Sequence, residues 1–289
     1  MREALGPTAL ANLIRMIRSE SPNPILVVEG EDDKFVVEPH LDSHVRVLPG
    51  NIGKRSIVLV ANELSLERLF FLLDKDLDEV IPADGTELPQ HVVRSNSHDI
   101  LMDLVSADSS YLERAVRALT RKASPQSEQL PSAQTLIDTS FDLAWCLVPV
   151  RIANQRYRFG IKLRDFPYGA LSSVSPTWEE VAQTAAFKRS REVSVPDLLE
   201  AIELERSAAL ELGRELVGDH DFFGAVSRVL KEFGADKITR EHVETAFLAT
   251  IDCALVAKAK WAAELDLLMQ NQGLRAFDCP HSEHEKAAA

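Results

Sequence analysis

No apolar run in the 289-residue chain approaches the length of a membrane span, which excludes a helix built to cross a bilayer. Cysteine is scarce: Cys146, Cys253 and Cys279 lie far apart, without the paired spacing of a structural zinc site or a disulfide framework, and free thiols are expected. Basic residues are outnumbered, 32 Lys and Arg against 45 Asp and Glu, for a formal charge of −13. That balance argues against broad, non-specific adhesion to nucleic acid, which draws on clustered cations that release counterions; a local basic groove stays open. The opening stretch to Glu20 has an amphipathic helical pattern rather than a signal peptide's apolar core, so a soluble, cytoplasmic protein without membrane association is expected.

What is present is 45% hydrophobic residues, enough to bury one large core or two modest ones, and two domains are expected. Leu5 to Glu20 reads as a helix stopped by Pro22 and Pro24. Ile25-Leu26-Val27-Val28 and Leu69-Phe70-Phe71-Leu72-Leu73 are continuous apolar runs of the kind found in parallel strands buried on both faces. Val45 to Leu48 and His91 to Arg94 supply two further strands, the last after a turn at Pro82-Ala83-Asp84-Gly85. Helices fit Glu31 to His40 and Lys54 to Leu64. Alternating strands and helices predict an α/β fold with a mostly parallel, Rossmann-like sheet, whose ligands bind at strand carboxyl ends.

Beyond about Ser109 helical periodicity dominates, interrupted by a polar linker from Ala123 to Ser132. The expected organisation is therefore an α/β domain over 1–122, a mainly helical domain over 133–278 and a flexible tail over 279–289. Within the helical part a β-hairpin is expected near 147–165, turning at Ala153-Asn154-Gln155, with Arg156, Arg158 and Lys162 on one face. Helices are expected from Val195 to about Val217, over Phe222 to Phe233, and from a Thr239 cap to as far as Gln270.

Glu29 follows one buried strand directly, and Asp74 and Asp76 follow another; two residues apart on a strand, the aspartates would leave the same face. Each acid alone also suits a solvated turn. Three such charges at about 5 Å would repel by roughly 3 kcal/mol per pair at an effective dielectric near 20, which a divalent cation would relieve. Hard carboxylate oxygens beside water suit Mg2+ or Mn2+ and point to phosphoryl chemistry.

Val27-Val28-Glu29-Gly30-x-x-Asp33, followed by an apolar strand ending in Asp74-x-Asp76, resembles the two defining motifs of the Toprim domain over roughly the first 105 residues. The resemblance implies a Toprim fold in which Glu29, Asp74, Asp76 and Asp33 are the catalytic acids, the first three holding magnesium, with Gly30 and Asp78 in support. Gly50-x-x-Gly53-Lys54, Ser97-His98-Asp99 and Gly218-Asp219-His220-Asp221 are similar to features of an uncharacterised bacterial Toprim branch, related to overcoming-lysogenization-defect nucleases and to toxin nucleases of PARIS-type antiphage defence. That branch usually carries a glutamate one residue after its His-Asp pair; here Ile100-Leu101 follows, with Asp103 as the available replacement, and Asp219 is inserted before His220. The resemblance implies a nuclease toxin acting on RNA, tRNA among its substrates, with an ABC-type ATPase as partner.

The supporting residues each keep two readings. Lys54 suits a phosphate contact or a solvated first-turn lysine, and Gly50 and Gly53 suit a substrate loop or a plain turn. His98 and Asp99 suit substrate orientation, or Asp99 a helix N-cap; His220 and Asp221 suit an approach to the site, or Asp219 a cap. Arg151, Arg156, Arg158, Lys162 and Arg164 suit either a phosphate track or a solvated face.

Two rival functions remain in view. One is a receiver-like phosphoacceptor domain around Glu31-Asp32-Asp33 and Asp74, opposed by the glycine after Glu29 and the large helical extension. The other is a regulatory or binding module with an inactive Toprim site. Oligomeric state stays open, a homo-oligomer included.

Overall fold

The computed structural model describes residues 6–81, 88–123, 131–187 and 193–278. The turn expected at Pro82 to Gly85, most of the linker and the tail from Cys279 lie outside the described residues.

The chain opens with α1 (Pro7–Glu20), β1 (Ile25–Val28), α2 (Glu31–Val37), β2 (Arg46–Pro49), α3 (Lys54–Glu63), β3 (Leu69–Leu73), β4 (Val92–Arg94) and α4 (Ile100–Ala107). It continues through α5 (Ser109–Ala123), α6 (Ala133–Trp145), α7 (Val148–Tyr157), α8 (Trp178–Ala186) and α9 (Val195–Leu212). It closes with α10 (Asp219–Glu232), α11 (Arg240–Leu248), α12 (Cys253–Val256) and α13 (Lys260–Gln270).

The four strands form one parallel sheet in the order β2-β1-β3-β4, with Val28 opposite Leu72 and Leu73 opposite Arg94. Every residue of β1 and β3 is buried. Strand alternation sends Ile25, Val27, Leu69, Phe71 and Leu73 into one core with Leu10, Ile14, Ile57 and Val60 of α1 and α3. Helices therefore cover a sheet whose central strands cannot be solvated on either side. Because β2 and β3 flank β1 on opposite sides, the carboxyl ends of β1 and β3 are the point where the strand order reverses, the place at which open α/β sheets form their ligand crevice.

The chain divides into two compact units, 1–75 with 84–108 and 251–289, and 76–83 with 109–250. A single cut between 122 and 133 does not describe this division, because the chain returns to the first unit after Thr250. There α12 packs on α4 and α13 on β4, and Leu41 bridges Phe277.

The second unit is helical. Phe141, Phe222, Phe223 and Phe247 run through its core with successive ring centroids 4.4, 5.6 and 5.8 Å apart, joining α6, α10 and α11. Among the described residues, no helix of either unit is long and apolar enough to cross a membrane.

Three expectations are corrected. The hairpin near 147–165 is instead helix α7 followed by irregular chain: Pro149 pre-sets helical φ in the first turn, and the reversal comes at Arg158 (φ 56°), not at Asn154. The run from Thr239 to Gln270 is three helices, because Asp252 leaves helical conformation to accept from the Leu255 N–H at 2.9 Å and Ala259 is extended. Cys253 is disulfide-bonded and not a free thiol, whereas Cys146 is free. Bridging depends on where the fold brings two Cβ atoms, which spacing along the chain does not encode.

Candidate metal and phosphate site

Glu29 and Asp74 follow β1 and β3 directly, so the parallel pairing of these strands brings both half-buried acids to the crevice. The Asp74 N–H donates to Glu29 Oε1 at 2.9 Å, joining the two strand ends by one side chain. Asp74 Oδ1 in turn accepts from the Ile100 N–H at 3.1 Å, at the first residue of α4. A carboxylate there meets the partial positive charge of the helix N-terminus.

The β2 end closes against the same edge. Gly50 N–H donates to the Val28 carbonyl at 2.8 Å and Asn51 N–H to the Glu29 carbonyl at 2.9 Å. Gly50 is closely packed: a Cβ would lie 2.6 Å from Ile57 Cδ1, so a larger residue would force the buried Ile57 side chain to shift. Gly53 is required conformationally, as the N-cap of α3 with φ 78°. Lys54, the first residue of α3, reaches back so that its Nζ donates to the Lys75 carbonyl at 2.9 Å, which puts the ammonium beside the end of β3.

The segment after β4 completes the crevice. Asp99 is the N-cap of α4, accepting from Met102 N–H at 2.7 Å, while its other oxygen lies 3.2 Å from His98 Nδ1. Asp103 is buried and accepts from both the Asn96 and Ser97 N–H groups at 2.6 Å; burial, above all, pushes its carboxyl above the ordinary range. Ser95 Oγ accepts from Lys75 N–H, and Lys75 Nζ donates to the Asn96 carbonyl. The sequence offered Asp103 only as a replacement acid; the small polar pair Ser95 and Ser97 after a strand was the signal for this loop.

Asp33 accepts from Gly30 N–H at 2.8 Å, so the carboxylate of this motif closes the first turn of α2. Asp76 and Asp78 lie beyond β3, which ends at Leu73. Asp76 has φ 51°, so the strand alternation that would put it on the same face as Asp74 no longer applies. Among the described residues, no three His, Cys, Asp or Glu side chains stand together as a metal-holding group. Magnesium commonly takes one or two carboxylates and completes its shell with water and substrate phosphate, so the hard oxygens of Glu29 and Asp74 fit it as a pair.

Among the five basic residues that the sequence set out as a phosphate track, Arg151, Arg156 and Arg164 take separate partners. Arg151 makes a two-point ion pair with buried Asp221, in which Nη2 lies 2.7 Å from Oδ1, and donates to the Leu163 carbonyl at 3.0 Å. Arg156 donates to Glu205 at 2.6 Å and to the Val80 carbonyl at 2.8 Å. Arg158 ends α7, Lys162 is exposed, and Arg164 Nε donates to His220 Nε2 at 3.2 Å. The chain matches no protein-family model and no curated protein.

Proposed function

We propose that the crevice is a Toprim-type site for magnesium-dependent phosphodiester hydrolysis, and that the chain is a nuclease acting on RNA, with tRNA the first substrate to test and antiphage defence the setting that the resemblance implies. The observation that carries this reading is the Asp74 N–H bond to Glu29 Oε1 at the point where the strand order reverses, because it joins the two motif acids at the edge where such sheets bind ligands.

Glu29 and Asp74 are the residues that would hold the ion. Magnesium or manganese bound there supplies charge neutralisation for the phosphodiester and an acidified water. The backbone amides of Asp74 and Ile100 orient the two carboxylates, so little side-chain freedom is left to lose when substrate arrives. Lys54 and the N-terminus of α4 offset the negative charge of the acids and favour an approaching phosphate. Asp103 keeps the 95–98 loop in the shape that holds Lys75.

The test is cleavage of labelled tRNA, total RNA and plasmid DNA with and without magnesium or manganese, using wild type, Glu29→Gln and Asp74→Asn. Metal-dependent cutting of RNA, lost in both variants, is expected. Cutting that survives both substitutions, or no cutting of any substrate, would sink the assignment.

A further inference from the structure

The second unit holds a cleft of about 230 Å³ between the irregular chain after α7, the side of α10 and the start of α11. It lies in the segment where the sequence places Gly218-Asp219-His220-Asp221, a motif the metal-site reading does not use. Its lining carries four cations, Arg164, Arg228, Lys231 and Arg240, and two carboxylates, Asp165 and Glu241, in a chain whose net charge is −13. Local charge is thus opposite to global charge.

The carboxylates do not neutralise the cleft evenly. Arg240 takes both, with Nη1 3.1 Å from Asp165 Oδ1 and Nη2 3.5 Å from Glu241 Oε1. Arg228 pairs with Glu232 and donates to the Leu171 carbonyl at 3.1 Å. Among the described residues, Arg164 and Lys231 have no carboxylate partner, and the Arg164 guanidinium donates to His220 Nε2 at 3.2 Å.

Donor atoms are also left over in its wall. Among the described residues, the Nε atoms of Arg228 and Arg240 and the hydroxyl of Tyr168, three lining residues, are buried without a hydrogen-bond partner, and Arg228 as a whole is only 9% exposed. Buried guanidinium N–H groups are rarely left unmet, because losing water without a replacement is costly. Arginine forks arranged around a small space suit an oxyanion with acceptors in several directions, as a phosphate group has. The volume falls below the roughly 300 Å³ at which drug-sized pockets begin, so it admits a phosphate and leaves a sugar or base outside.

We propose that this cleft binds a phosphate group, presented by a nucleic acid backbone or end, or by a free nucleotide. The proposal stands apart from the metal-site reading, since none of its residues belongs to the crevice.

The test uses the full chain carrying Glu29→Gln, in EDTA and at fixed ionic strength, so that catalysis and metal-bridged binding are removed. The probes are inorganic phosphate, adenosine monophosphate, and a short single-stranded RNA with a 5′-phosphate or a 5′-hydroxyl, titrated by calorimetry. Binding of at least one phosphate probe is expected, weakened at least about tenfold by Arg164→Ala with Lys231→Ala and unchanged by Arg117→Ala with Arg121→Ala on α5. Preference for RNA would assign the phosphate to nucleic acid, and preference for the small probes to a free nucleotide or phosphate. Equal affinity in the two double variants, or no binding of any probe, would overturn the proposal and leave the cleft as a water-filled ion-pair network. Thermal melts of both double variants confirm folding.

Discussion

Glu29 Oε1 accepts the Asp74 N–H at 2.9 Å, so a side chain at the end of one strand holds the backbone at the end of its neighbour. Glu29→Gln keeps an acceptor oxygen there and should melt with the wild type, whereas Glu29→Ala orphans a half-buried N–H and should cost about 1–2 kcal/mol in urea denaturation. Equal stability of the two variants would show that this bond contributes nothing.

Asp99 caps α4 through the Met102 N–H. Asp99→Ala should lower stability by about 1 kcal/mol and Asp99→Asn by only a few tenths, read from denaturant midpoints.

Burial raises the Asp103 carboxyl above its unfolded value near 3.8, so the native state binds its proton more tightly than the unfolded chain. The associated stability is fully present below that value and is lost as pH rises through the raised native one. Wild type should therefore lose stability relative to Asp103→Asn as pH rises above about 4, measured by urea melts at several pH values. A difference independent of pH would contradict this.

Glu205 is 1% exposed and receives both Arg156 and the Tyr157 hydroxyl, whereas the Arg156 side chain is 42% exposed. The pair should therefore respond asymmetrically. Arg156→Ala strands a buried carboxylate and should cost about 2–3 kcal/mol, while Glu205→Gln lets the guanidinium turn to water and should cost about 1. The reverse order in thermal melts would refute this account.

Burial pushes the Cys146 thiol up to about 11. At pH 8 its thiolate fraction is on the order of one in a thousand, so alkylation by iodoacetamide should be very slow there and rise about tenfold per pH unit towards 11. Rapid labelling at pH 8 in the native protein would contradict it.

The parts legible in the sequence are those with local causes. Ile25 to Val28 and Leu69 to Leu73 were readable to the residue, because an uninterrupted apolar run has one stable home, a strand covered on both faces. The Asp99 cap and the Gly53 break were readable for the same reason. Pro149 was a missed local signal, since a proline inside a strand is disfavoured while one in the first turn of a helix is not.

By itself, then, the sequence determined the parallel α/β sheet and set Glu29 and Asp74 at strand carboxyl ends. Tertiary structure alone decided which charges meet: Arg151 finds Asp221 70 residues away and Arg156 finds Glu205 49 away, turning two candidate phosphate contacts into internal ion pairs. It also decided that residues after Thr250 return to the first unit, and that Cys253 is bridged. These outcomes depend on which surfaces are brought into contact, a property of the whole packed chain that no window of neighbouring residues contains.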